Sequence, residues 1–263
     1  MATGSTTSAV REAGSEEIVD SVARVLNAAG IPCVLWGHFL WATHGVPTYI
    51  PLDLVIPDAS LAAASEAMTA ARFSPPLVAC LDPTTCIDGS SPDRQHPHPA
   101  FHMHIEDTTP GLTVSSVCLH LQSETLWFLP PLRASLASPR TCRLPRYLAL
   151  ACDRTALPPD ELGMGRGVFH SDQTVVVVPK AHILTEALMR IMARDRYERV
   201  GMWAVQHFLY IALYVEERGI LDLRLLPEPL GKLYKELTGR GHGNAMVKLM
   251  RTLGVPVLER LYR

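Results

Sequence analysis

The chain carries little net charge of either sign. Lys and Arg total 24 and Asp and Glu total 26 among its 263 residues. A strongly basic protein attracts nucleic acids and anionic membranes through long-range electrostatics, and this composition provides no such field. We therefore expect no nucleic-acid or membrane partner, and a small-molecule substrate instead.

Long apolar runs and closely paired cysteines are also missing. The most apolar helical stretch, Met202 to Val215, is interrupted by Gln206 and His207 and is shorter than the roughly 20 residues that span a bilayer. The six cysteines include no CxxC pair, and residues 1–17 lack the basic segment and apolar run of a signal peptide. These absences predict a cytoplasmic protein with reduced cysteines.

The motifs of several large enzyme classes do not occur in the sequence. It contains no Walker loop, no GxGxxG after a strand, no GxSxG and no HExxH. The segment GMGRG, residues 163–167, superficially resembles a phosphate-binding loop, but no strand directly precedes it and prolines surround it. We interpret it as a flexible connector.

What the sequence does contain is an α+β half followed by a helical half. Residues 1–14 are small and polar and are expected to be disordered, and residues 15–150 alternate between helical and strand patterns. Residues 151–180 combine a proline-rich connector with a last strand, and residues 181–263 follow a helical pattern. We predict a mixed sheet with flanking helices, plus helices at the C-terminal end.

Short strands surround the most informative part of the first half. IPCVLW ends at Gly37, a helix of under about ten residues follows, and PLDLVIP is the next strand; so short a helix does not suit a parallel crossover. Residues 74–99 are rich in turn-forming residues and are predicted to be a long loop. Residues 100–106 and 112–122 are predicted to form an antiparallel hairpin.

The segment around Gly37 resembles the signature of the nucleotidyltransferase superfamily, the polymerase-beta-like fold. In that family an apolar strand ends in Gly-Gly or Gly-Ser, a short helix follows, and Asp-x-Asp or Asp-x-Glu lies in the next strand. Gly37 matches the first glycine, His38 occupies the second small position, and Pro51-Leu52-Asp53 aligns with the acidic pair. The phrases GVP, LDLVIPD and LWFLPPL also resemble a group of fungal proteins of unassigned reaction.

The resemblance implies a degenerate site, because nucleotidyl transfer needs several acids that hold Mg²⁺. Pro51 replaces the first acid of the pair, and the family's third carboxylate falls in VCLHL, where His120 is the polar residue. We predict no metal site and no cofactor. The alternative is Mg²⁺-dependent nucleotidyl transfer that recruits Asp82, Asp88 or Glu106 as further acids.

Histidines and aromatic residues stand where acids are missing. Imidazoles beside one carboxylate perform general acid–base catalysis at neutral pH, and aromatic side chains enclose apolar ligands. We predict a metal-independent cyclisation or isomerisation of a small, largely apolar metabolite in specialised metabolism; a non-catalytic binding module is a further alternative. The predicted catalytic residues are Asp53, His120, His38 and His102, and the predicted substrate-binding residues are Trp36, Gly37, Trp41, Tyr49, His104 and Trp127.

The stretch HPHPAFHMH supports a competing interpretation. Imidazole and thiolate groups bind zinc, and the candidate ligands are His96, His98, His102, His104, Cys80 and Cys86. Cys-x5-Cys is not a usual zinc-binding spacing, and these residues span a predicted loop. We therefore favour solvated loop histidines and a polar strand face over a zinc site.

Overall fold

The computed structural model describes residues 5–48, 52–84, 86, 97–106, 116–239 and 242–254. The chain divides into two units, Met1–Pro179 and Lys180–Arg263. The first is mixed α+β, and the described part of the second is helical. No helix in the described ranges is long and apolar enough to cross a bilayer.

A five-stranded mixed sheet lies at the centre of the N-terminal unit. Its strands are β1 (Val34–Trp36), β2 (Leu52–Ile56), β3 (Leu77–Ala79), β4 (Phe101–Ile105) and β5 (Ser116–Leu121). The spatial order is β1-β2-β5-β4-β3; β2 and β5 are parallel, and the other neighbours are antiparallel. The α+β class and the predicted antiparallel hairpin are confirmed, while the turn of that hairpin lies outside the described residues.

Helices of the N-terminal unit flank this sheet. They are α1 (Ser5–Ala28), α2 (Gly37–Thr43), α3 (Leu61–Ala70) and the single turn α4 (Gln122–Thr125). Helix α1 starts at Ser5, whereas the sequence predicts disorder up to residue 14. It ends at Ala28, and the positive φ of 73° at Gly30 allows the Ile31 N–H to donate to the Leu26 carbonyl and close the last turn.

The central strands are buried on both faces. Every residue of β1 and β2 is buried, as is β5 except for its last residue, Leu121. Apolar burial on both faces explains why these strands read as nearly continuous Val, Leu and Ile runs rather than alternating patterns. Any polar side chain in them therefore needs a specific partner.

Strand β3 corrects the prediction of an uninterrupted loop over residues 74–99. It is a three-residue edge strand that pairs with β4, and its Val78 and Ala79 are exposed. Prolines precede it, and so short a half-exposed strand leaves no measurable periodicity in the sequence. The pairing nevertheless brings the residues after β3 next to β4.

A second, two-stranded antiparallel sheet completes the N-terminal unit. It consists of β6 (Leu148–Leu150) and β7 (Val177–Pro179). The sequence predicts β7 but places no strand at β6. The Pro179 carbonyl accepts a hydrogen bond from the buried ring of His44 at 2.9 Å, so this sheet is fastened to the end of α2.

Residues 163–167 are not the flexible connector that the sequence predicts. The Arg166 side chain is buried, and its guanidinium binds the Glu16 carboxylate of α1, with a 2.8 Å bond from Nε to Oε1. The N–H groups of Gly165 and Gly167 donate to the carbonyls of Gly45 and Ala42 at 3.0 and 2.9 Å. The segment is a packed strap across the end of α2.

The C-terminal unit is built from helices. Those described are α5 (Ala181–Arg194), α6 (Arg199–Tyr210), α7 (Leu230–Thr238) and α8 (His242–Thr252). Helix α6 continues as a π-helical turn over Ile211–Glu216, and the chain leaves it at Gly219 with φ 70°.

Candidate functional site

One face of the five-stranded sheet carries five of the ten predicted site residues. Trp36 lies opposite Asp53, Asp53 is in register with Cys118, and Cys118 lies opposite His102. Residues opposite each other, and residues two apart along a strand, point to the same face. We call this the polar face, defined by Trp36, Asp53, His102, His104, Cys118 and His120.

Asp53 and His120 form a buried hydrogen-bonded pair on the polar face. His120 Nε2 lies 2.9 Å from Asp53 Oδ1, and their side chains are 2% and 4% exposed. A carboxylate oxygen accepts this hydrogen bond and the Nε2–H group donates it, so Nδ1 is the ring nitrogen that faces away from Asp53 and can serve another group. Asp53 and His120, two of the predicted catalytic residues, therefore contact each other although they are far apart in the chain.

Two features require glycine at position 37: the turn into α2 and the space taken by the Asp53 carboxylate. Its φ of +62° lets the chain pass directly from β1 into α2. A Cβ on this residue would overlap Asp53 Oδ2 and lie 2.8 Å from Asp53 Cγ. The glycine therefore gives the carboxylate the space that it occupies beside His120.

Two buried polar atoms on the polar face lack a protein partner among the described residues. They are the Trp36 indole Nε1 and His120 Nδ1. Nearly all buried polar atoms in proteins are hydrogen-bonded, so such exceptions point to a bound water, a ligand or a catalytic role. One is a donor, the other is the acceptor nitrogen of the Asp53–His120 pair, and they flank Asp53 on the two neighbouring strands.

Other predicted residues occupy different surroundings. His38 Nδ1 lies 2.9 Å from Thr48 Oγ1, and its ring meets buried Trp41 edge-on at 4.6 Å. Trp127 is half-buried beside Phe128, with ring centroids 6.0 Å apart. Tyr49 lies outside the described residues.

Two of the further acids of the nucleotidyl-transfer alternative, Asp82 and Glu106, lie outside the strands of the sheet. Asp53 is the one acidic residue in the five strands as described. Asp82 accepts from the Thr84 hydroxyl at 2.6 Å, the Glu106 N–H donates to the Pro76 carbonyl, and Asp88 lies outside the described residues.

At the far end of the polar face, two cysteines converge on two histidines. One ligand atom from each of Cys80, Cys86, His102 and His104 lies within 4.8 Å of the others, and Cys86 Sγ is 3.5 Å from His104 Nε2. The expectation of no metal site does not anticipate this cluster. The signal in the sequence was His-x-His, which places both imidazoles on one face of β4; the convergence of the cysteines depends on β3.

Two cavities of about 400 Å³ open elsewhere on the N-terminal unit. One is lined by prolines and basic residues between Pro130 and Tyr147, and the other by residues of α1 together with Ala137–Thr141 and Val175. Neither is lined by a predicted site residue, so the polar face itself remains the candidate site.

No protein-family model matches the chain, and no curated protein or solved structure matches it either.

Proposed function

We propose that the protein is an enzyme that isomerises or cyclises a small, largely apolar metabolite by proton transfer, with His120 as general base and acid and Asp53 as its partner. The observation that carries this proposal is the buried hydrogen bond from His120 Nε2 to Asp53, which leaves Nδ1 without a protein partner among the residues that the structure describes. A base oriented by a carboxylate through its other nitrogen is the arrangement that enzymes use to activate reacting groups.

The N-terminal unit, in this proposal, is a nucleotidyltransferase-like fold that has lost its metal chemistry. The resemblance places a short helix after Gly37, an acid on the next strand and a further acid on a later strand. Here α2 begins at Gly37, and Asp53 lies on β2. His120 on β5 takes the position of the later acid, and its ring contacts Asp53. An acid–acid pair that shares a cation is replaced by an acid–base pair that shares a proton.

The proposed reaction needs one base and no second substrate. His120 Nδ1 removes a proton from a C–H or O–H group of the substrate, and the Asp53 carboxylate stabilises the imidazolium. The same Nδ1–H then returns the proton to a different atom, so bonds shift within the substrate and the product has the same composition. The Trp36 indole N–H donates to a substrate oxygen on which negative charge develops.

Apolar neighbours of His120 support an apolar substrate. On the polar face, His120 is in register with Val55, and Val55 lies opposite Val34. The side chains of His120, Val55 and Val34 are all buried. Ligand sites are lined mostly by apolar side chains, with a few polar atoms that orient the reacting group, and the surroundings of His120 have this composition.

We expect the His120→Gln and Asp53→Asn variants to lose turnover by about 10²–10⁴-fold, because each removes the proton-transfer function or the group that orients it. The measurement is comparative mass spectrometry of small molecules from the source organism carrying each variant at the native locus. The accumulating compound is then incubated with purified protein. The expected result is accumulation of a substrate and loss of an isomer with the same mass.

The matched control is His44→Gln, which changes another buried histidine, whose Nε2 bonds to the Pro179 backbone carbonyl and not to a carboxylate. Circular dichroism checks that each variant is folded, and His44→Gln should retain the product. An unchanged product level in folded His120→Gln and Asp53→Asn proteins would contradict the proposal and favour a binding module. Pyrophosphate release from nucleoside triphosphates with Mg²⁺, abolished by Asp53→Asn, would replace it with nucleotidyl transfer.

A further inference from the structure

Four side chains with zinc-binding chemistry meet at the edge of the sheet, beyond the Asp53–His120 pair. His102 and His104 project from the same face of β4, with His102 buried and His104 half-buried. Cys80 follows the last residue of β3, and Cys86 is six positions further along the chain. The pairing of Val78 with His104 and of Ala79 with Met103 brings Cys80 alongside His102.

The spacing of the ligand atoms suits tetrahedral zinc. With Zn–S near 2.3 Å and Zn–N near 2.0–2.1 Å, ligand atoms of a tetrahedral site lie about 3.3–3.8 Å apart. The distance from Cys86 Sγ to His104 Nε2 is 3.5 Å, and the ligand atoms of the whole cluster lie within 4.8 Å of one another. Small side-chain rotations that move the ligand atoms by up to about one ångström would bring the longer separations into this range.

We propose that Cys80, Cys86, His102 and His104 bind one Zn²⁺ as a structural site that fastens the chain after β3 to β4. Two thiolates and two imidazoles in tetrahedral geometry select zinc over hard cations such as Mg²⁺, which prefer oxygen ligands. Four protein ligands fill the coordination shell, which leaves no open position for a substrate. His102 and His104 are then metal ligands, and not the catalytic and substrate-binding residues that the sequence predicts.

The site compensates for a weak edge. Strand β3 has three residues and exposed side chains, so it buries little apolar surface of its own. A metal ion bound by residues on both sides of this edge supplies order that β3 cannot supply by packing.

The experiment is metal analysis of the full chain, purified with no added metal and with any affinity tag removed. We expect about one zinc per chain in the wild-type protein and less than about a tenth of that in the Cys80→Ser/Cys86→Ser variant. The matched control is Cys142→Ser/Cys152→Ser, which changes two other partly exposed cysteines and should keep the zinc. A chelator that removes the metal should also lower the melting temperature.

Cobalt binding tests the site in the wild-type protein alone, so the test does not depend on whether the cysteine variant folds. Chelator-treated wild-type protein titrated with Co²⁺ should develop the intense visible bands of a tetrahedral ion together with a thiolate-to-cobalt charge-transfer band. The proposal is overturned if the wild-type protein holds no stoichiometric zinc and gives only weak octahedral cobalt bands. It is equally overturned if the folded Cys80/Cys86 variant keeps its zinc, or if those cysteines are found as a disulfide in protein purified from a reducing cytosol.

Discussion

Replacing Gly37 by alanine should destabilise the N-terminal unit by about 2–5 kcal/mol, the sum of a left-handed backbone and an overpacked side chain. The residue has φ +62°, and a Cβ on it overlaps Asp53 Oδ2. Relief requires movement of Asp53 away from His120 or of α2 away from β2. The substitution should therefore weaken both the fold and the proposed catalytic pair.

Gly30→Ala separates the two contributions. Gly30 has a similar φ of +73°, but a Cβ added there meets nothing within 4 Å. It should cost only about 1 kcal/mol, from the backbone alone. Chemical denaturation followed by tryptophan fluorescence measures both variants, since three of the four tryptophans, Trp36, Trp41 and Trp127, belong to the N-terminal unit. Equal costs at Gly30 and Gly37 would show that the Asp53 carboxylate does not depend on the glycine.

The Glu16→Gln variant should lose about 3–5 kcal/mol of stability, because it leaves a buried guanidinium without its carboxylate. Glu16 is 6% exposed and Arg166 is 4% exposed. Besides Arg166, the Glu16 carboxylate accepts hydrogen bonds from the His170 backbone N–H at 3.2 Å to each oxygen. Glutamine keeps the shape of the side chain, but its N–H₂ group is a donor and faces the Arg166 guanidinium or the His170 N–H, which are donors as well.

Glu17→Gln is the matched control for this experiment. It makes the same chemical change one position along α1, on an exposed side chain, and should alter stability by less than about 0.5 kcal/mol. Denaturant midpoints for the two variants decide the matter. A Glu16→Gln protein as stable as Glu17→Gln would mean that the ion pair contributes no more than a hydrogen-bonded neutral pair.

The part of the fold that sequence predicts well is the part with strong local patterns. Runs of buried apolar residues, a glycine at the strand end and a helix too short for a parallel crossover predict the strands β1 and β2, and the structure pairs them antiparallel. The predicted hairpin is confirmed as β4 and β5, and the pairing of β5 with β2, which the hairpin alone does not predict, brings His120 beside Asp53. Asp53 and His120 could be selected because a charged or titratable residue is conspicuous in an apolar strand.

The sequence offers Cys80, Cys86, His102 and His104 as candidate zinc ligands but does not show that they converge, and it gives no sign of the buried ion pair. Cys80 meets His102 only because a three-residue edge strand pairs in one particular register, and so short a segment carries too few residues to reveal a period. Arg166 lies between glycines in a proline-rich region, a composition typical of loops. Its burial follows from a carboxylate 150 positions earlier in the chain, which no local pattern encodes.

The strap formed by residues 163–167 also sets an order of events during synthesis. Glu16 is synthesised before its partner Arg166, and the carbonyls at the end of α2 are synthesised before the N–H groups of Gly165 and Gly167 that bond to them. Ribosomes add about 5–20 residues per second, so the helix that begins the unit is exposed for roughly 10–30 s before its buried partner emerges. All five strands of the sheet are synthesised before residue 122, whereas Arg166 is synthesised later. A nascent chain that stops between these points therefore contains every strand of the sheet but lacks the cation that pairs with the Glu16 carboxylate.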